Sequence, residues 1–147
     1  MTNERKITGK RILIVDDEPA AREALKLLLA IDQHIVTAAV NGRDACLSYV
    51  PGDFDLVITD YEMPEMKGDE LARTIKCLVP SQRMLMITGV PGKLGTSDNP
   101  VDAVLVKPYK LSELRHFIAT ILSPDLKRFP FRRSNSKSGS GIGLGFT

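Results

Sequence analysis

The chain has no tryptophan, two cysteines and two histidines, and aromatic residues make up 5% of its 147 positions. Cys46 and Cys77 fall in helical patterns with neither CxxC nor metal-ligand spacing, which argues against a disulfide scaffold and a thiolate metal site. Both are expected as reduced, packed thiols. His34 begins a strand pattern and His116 lies on a late helical one; each reads as a core or solvated side chain rather than a ligand or base. No apolar run approaches the roughly 20 residues of a membrane span. Met1–Lys10 is polar and lacks the apolar stretch of a signal peptide, so a cytoplasmic location is expected.

Net charge is only +2, but its placement is uneven. Residues 124–147 hold Lys127, Arg128, Arg132, Arg133 and Lys137 against Asp125, a tail of +4 that leaves −2 for residues 1–123. The basic pI therefore belongs to the tail and argues against DNA binding by the rest of the chain.

What the sequence does have is five short apolar runs. Ile12–Val15 leads into Asp16 and Asp17, Leu56–Thr59 into Asp60, Met84–Ile87 into Thr88, and Ala103–Val106 into Lys107–Pro108. His34–Ala39 ends without an obvious chemical group. Most are continuous rather than alternating, as in parallel strands covered on both faces. Helical patterns lie between them. Pro19 suits a first turn followed by a face of Ala21, Ala24, Leu25 and Leu28. A short helix fits Ala45 to Val50 with Leu47 and Tyr49. Leu71, Ile75, Leu78 and Val79 form a third stripe closed by Pro80. Ser112 suits the cap of a last helix that buries Leu114, Phe117, Ile118, Ile121 and Leu122. This alternation predicts an α/β fold, a doubly wound five-stranded parallel sheet.

The regularity fails at Val90–Pro100, where a helix belongs between the fourth and fifth strands. Pro91, Gly92, Gly95 and Pro100 cost a helix about 1 kcal/mol per glycine and about 3 per proline, so a loop or one turn around Lys93–Leu94 is expected. The domain pattern runs through residues 1–124. Residues 125–147 read as a basic, Ser/Gly-rich tail with no effector domain.

Ligands in open α/β sheets bind outside the carboxyl ends of the strands, where Asp16, Asp17, Asp60, Thr88 and Lys107 would converge. Carboxylates about 4 Å apart repel by roughly 4 kcal/mol at an effective dielectric of about 20. Such a group raises its own pKa values or binds a cation. Oxygen ligands without His or Cys favour Mg2+, with Mn2+ able to substitute. Beside the metal, Asp60 suits a nucleophile that forms an aspartyl phosphate, with Lys107 and Thr88 on the phosphoryl oxygens.

The segments Ile12–Leu13–Ile14–Val15–Asp16–Asp17–Glu18, Asp60–Tyr61–Glu62–Met63–Pro64–Glu65–Met66–Lys67–Gly68, Ile87–Thr88–Gly89 and Val106–Lys107–Pro108–Tyr109 resemble the receiver domain of bacterial response regulators. The resemblance spans about residues 9–124. It implies a flavodoxin-like strand order 2-1-3-4-5 and Asp60 as phosphoacceptor. Asp17 and Asp60 would be direct Mg2+ ligands, with Asp16 acting through water and the Glu62 backbone carbonyl completing the shell. Thr88 and Lys107 would contact the phosphoryl group, and Lys107–Pro108 would be cis. A sensor histidine kinase or phosphotransfer protein would supply the phosphoryl group. A downstream protein and a phosphorylation-dependent dimer are further expectations.

Three positions depart from the family pattern. Val104 stands where the family carries its switch aromatic, the irregular Val90–Pro100 stretch alters the output face, and Glu62 lies two residues after Asp60, where side chains affect water access. Glu62 is therefore a candidate modulator of phosphoryl lifetime. The opening Met1 and short polar lead favour a stand-alone regulator over a receiver module of a hybrid histidine kinase. Two other classes compete. An aspartate-nucleophile phosphohydrolase would use Glu62 as its second acid, but Asp16–Asp17 lies upstream and no substrate-capping insert exists. A nucleic-acid or membrane-surface binder would use the interleaved Lys127–Arg133 segment.

Overall fold

The computed structural model describes residues 7–93, 99–123 and 132–133. Strands β1 (Arg11–Val15), β2 (Ile35–Ala39), β3 (Leu56–Asp60), β4 (Met84–Thr88) and β5 (Ala103–Val106) alternate with helices α1 (Pro19–Ile31), α2 (Gly42–Ser48) and α3 (Gly68–Leu78), and α4 (Leu111–Ile121) follows β5. The five strands are all parallel and take the expected order 2-1-3-4-5. Between β4 and β5 the described residues form one 3-10 turn, Pro91–Lys93, instead of an α-helix. The glycines and prolines there have the expected effect; Leu94 lies outside the described residues.

Alternating strand side chains feed two cores. On one face Leu13, Val15, Val57, Met84, Met86 and Val104 pack with Leu71, Ala72 and Ile75 of α3. On the other, Ile12, Ile14, Ile58, Leu85 and Leu105 pack with Leu25 and Leu29 of α1 and Leu114, Ile118 and Ile121 of α4. Each such side chain contributes about 1.5–3 kcal/mol through burial, so the central strands are the best-held part of the molecule.

Several local expectations need correction. Ser112 does not cap α4: Lys110 occupies the cap, and its N–H donates to the Glu113 carboxylate at 2.9 Å. Leu78 is exposed at the end of α3, where Ile75 and the following Val79 face the core instead, and Leu47 and Val50 are exposed as well. Ala24 also faces solvent, and Leu29, which the expected face did not include, is buried on α1 with Leu25. Tyr49 is buried just past α2, where its hydroxyl pairs with Gln82. Cys46 is half-buried, but Cys77 is exposed on α3 rather than packed.

The tail adds one element: Arg132–Arg133 form a two-residue strand, β6, parallel to β5 at Ala103 and Val104. The other tail residues lie outside the described residues.

His34 is a core histidine. Its Nδ1 accepts a hydrogen bond from the Lys10 N–H at 3.0 Å, and burial holds its pKa below the ordinary 6.5. An unfolded chain takes up this proton as pH falls through 6.5 while the folded chain does not, so acid removes stability. His34→Gln keeps an acceptor and cannot ionise. Its urea midpoint is expected to fall less between pH 7 and pH 5 than that of the parent.

Candidate functional site

β1 and β3 sit side by side with Val15 opposite Thr59, so Asp16, Asp17 and Asp60 emerge from adjacent strand ends. One oxygen of each carboxylate lies within 4.8 Å of the others. β4 and β5 bring Thr88 level with Val106, which places Lys107 beside the acids. Lys107 Nζ is 3.6 Å from Asp60 Oδ1 and 3.9 Å from Asp16 Oδ2. Four of the five predicted groups, Asp16, Asp17, Asp60 and Lys107, therefore converge, Thr88 stands at the end of the strand next to that of Asp60, and the Lys107–Pro108 bond is cis as expected.

The acids are not equivalent. Asp16 is buried, Asp60 nearly so, and Asp17 is exposed. Burial pushes Asp60 up to about 6, with Lys107 opposing and the neighbouring Asp16 reinforcing the rise. Burial also raises Asp16, although the Glu18 N–H donates to its Oδ1 at 3.0 Å and Lys107 lies close. One ammonium does not offset two buried carboxylates and their exposed neighbour. A hard divalent cation held by oxygen ligands would do so, and this donor set suits one.

Thr88 is fully buried, and its hydroxyl accepts the Val90 N–H at 3.0 Å. Val104 is fully buried in the α3-side core and has no ring to move. Glu62 is half-exposed, and its Oε1 lies 3.7 Å from Lys67 Nζ.

Four residues that shape the site were not singled out in the sequence. Arg22, one turn into α1, donates from Nη1 to the Asp16 carbonyl at 2.8 Å and fixes the acidic loop. Gly68 donates its N–H to the Tyr61 carbonyl at 2.9 Å, and a Cβ there would run into the Asp60 carbonyl oxygen. Tyr109 is raised by burial and by nearby Asp16. Lys67 sits over the Tyr61 ring. Lys67, Gly68 and Tyr109 lie within the motif segments, whereas Arg22 had only its helical spacing from the acids to mark it.

Residues 12–119 match the family model of the response regulator receiver domain, and the chain belongs to that family. The response regulator receiver protein CpdR of Brucella abortus is 37% identical over 116 residues, which cover 77% of this chain and 97% of CpdR. The transcriptional regulatory protein TcrA of Mycobacterium tuberculosis is 31% identical over 112 residues, and the match covers 74% of this chain and 44% of TcrA. The chain thus spans less than half the length of that relative. The crystal structure of TrrA from Thermotoga maritima, in complex with Mg2+ and BeF, superposes with a TM-score of 0.72 at 34% identity, covering 77% of this chain and 99% of TrrA. TrrA has also been solved in complex with the histidine kinase ThkA. These matches do not favour the phosphohydrolase and tail-binder readings. Among the described residues no helix is long and apolar enough to cross a membrane.

Proposed function

We propose that the chain is a cytoplasmic, phosphorylation-driven switch whose receiver unit, residues 1–124, accepts a phosphoryl group on Asp60 from a histidine kinase or phosphotransfer protein. The observation that carries this reading is the convergence of three carboxylates and Lys107 at neighbouring strand ends. TrrA, with its Mg2+–BeF and ThkA complexes, supports both the cofactor and the kind of donor. An Asp60 oxygen bonds to phosphorus as the donor's phosphorus–nitrogen bond breaks and the imidazole leaves. Asp17, Asp60, the Glu62 carbonyl and, through water, Asp16 would hold Mg2+ or Mn2+, which would neutralise charge on the transferring group. Lys107 stabilises the phosphoryl oxygens. Thr88 would exchange its bond with the Val90 N–H for one to the phosphoryl group.

Incubation with acetyl phosphate and Mg2+, followed by intact-mass measurement, is expected to show one added phosphoryl group. Uptake should vanish in Asp60→Asn and in the presence of chelator. Uptake that survives Asp60→Asn would refute the assignment.

A further inference from the structure

Asp17 is the least supported of the three acids. It is exposed, and among the described residues no hydrogen bond or ion pair holds its carboxylate. Its place in the cluster therefore depends on the backbone to either side, and both flanking carbonyls are held by one residue. Arg22 donates from its backbone N–H to the Glu18 carbonyl at 3.0 Å and from Nη1 to the Asp16 carbonyl, six positions back, at 2.8 Å. The Glu18 N–H closes the same loop on Asp16 Oδ1 at 3.0 Å. The Asp16 carbonyl belongs to the peptide that joins Asp16 to Asp17, so its direction sets the plane from which the Asp17 side chain leaves. A cation is otherwise a poor choice here. Arg22 lies at the start of α1, where the helix dipole is positive and the first turn holds no acid. It also brings positive charge close to a pocket suited to a divalent cation. Neither the stability of the helix nor attraction of a metal accounts for Arg22; its reach to the Asp16 carbonyl does.

We propose that Arg22 is a positioning residue for the divalent cation: by holding the Asp16–Asp17 peptide it sets the Asp17 carboxylate in place before the ion arrives and raises the affinity of the cluster for Mg2+. The inference rests on the reading that Asp16, Asp17 and Asp60 hold that ion. A ligand already in place loses less freedom when the metal binds. Outer contacts that touch a ligand directly are worth about ten- to a hundredfold in affinity; Arg22 grips the backbone and acts at one remove, so about three- to tenfold is expected. The sign of the effect separates this role from a simple field effect. Removing a nearby positive charge would by itself tighten the binding of a cation, whereas losing the hold on the peptide weakens it.

The test titrates the full-length chain with MgCl2 at constant ionic strength and follows backbone amide shifts. Arg22→Met keeps the aliphatic stem and loses both charge and donors. Arg22 is half-buried and belongs to neither core, so this variant folds. Its Kd for Mg2+ is expected to rise about three- to tenfold. Arg22→Lys keeps the charge and an N–H donor and should fall between the two. In the metal-free protein the Glu18 amide should exchange faster with solvent in Arg22→Met, because the loop opens more often. Phosphoryl uptake from acetyl phosphate should be slower at low Mg2+ and return to the parental rate at saturating Mg2+. A Kd in Arg22→Met that is unchanged or lower, or slow uptake that saturating Mg2+ does not restore, would overturn the proposal. A parent chain that binds no Mg2+ would instead overturn the metal-site reading on which it stands.

Discussion

Asp60→Asn is expected to make the metal-free protein more stable than the parent at pH 8, by about 1–2 kcal/mol. Raising a carboxyl from 3.8 to about 6 corresponds to about 3 kcal/mol at most, and partial access of solvent reduces it. Below the unfolded value of 3.8 both states hold the proton and no cost exists. As pH rises towards 6 the unfolded chain has released a proton that the folded chain retains, so stability falls. Above that pH the folded state carries the full cost of an ionised Asp60. The advantage of Asn should therefore be complete by pH 7–8 and absent below about pH 4. Mg2+ should reverse the order by stabilising the parent through binding to the folded state alone. Urea midpoints of both proteins from pH 4 to 8, with chelator and with Mg2+, would measure this. An Asn variant less stable than the parent at pH 8 without metal would show that Lys107 outweighs the burial of Asp60.

The same balance explains why the site was legible in the sequence. Acids, a hydroxyl and an ammonium at the ends of apolar runs conflict with burial unless they serve chemistry, and strand ends sit where the sheet opens. The parallel sheet was equally plain, because continuous runs such as Met84–Ile87 suit a strand covered on both sides. Helix boundaries were less readable. Ser112 is a good cap by type, yet the helix begins earlier because Glu113 can close back on the Lys110 N–H. Leu78 fits the helical period but is exposed while Ile75 and Val79 face the core, and period alone does not record how wide the covered stripe is. Arg22 and Lys67 act through contacts with a backbone carbonyl and with a loop acid, which depend on how the loops close. The pairing of Arg132–Arg133 with β5 had no hydrophobic signal at all.

Arg115→Ala is expected to lower the unfolding free energy by about 3 kcal/mol or more. Asp32 ends α1 and is almost wholly buried, and Arg115 of α4 reaches it with Nε and Nη2, both at 2.9 Å from its carboxylate oxygens. This two-pronged pair joins the two helices on one face of the sheet across 83 positions of sequence. Alanine removes both charge-assisted hydrogen bonds from Arg115 to a carboxylate that is almost wholly buried, which is the costly way to break a buried pair. Arg115→Lys keeps the charge and loses the planar geometry, so an intermediate loss is expected. Asp32→Asn with Arg115→Leu should recover part of the loss, since no charge is then left behind. Asp32 precedes β2 and thus lies at the end of the sheet opposite Asp60. At a temperature where Arg115→Ala is still folded, phosphoryl uptake on Asp60 should match the parent while the urea midpoint falls. A fall in both would show that the frame and the pocket are coupled through α1, which also carries Arg22 and its hold on the Asp16 carbonyl.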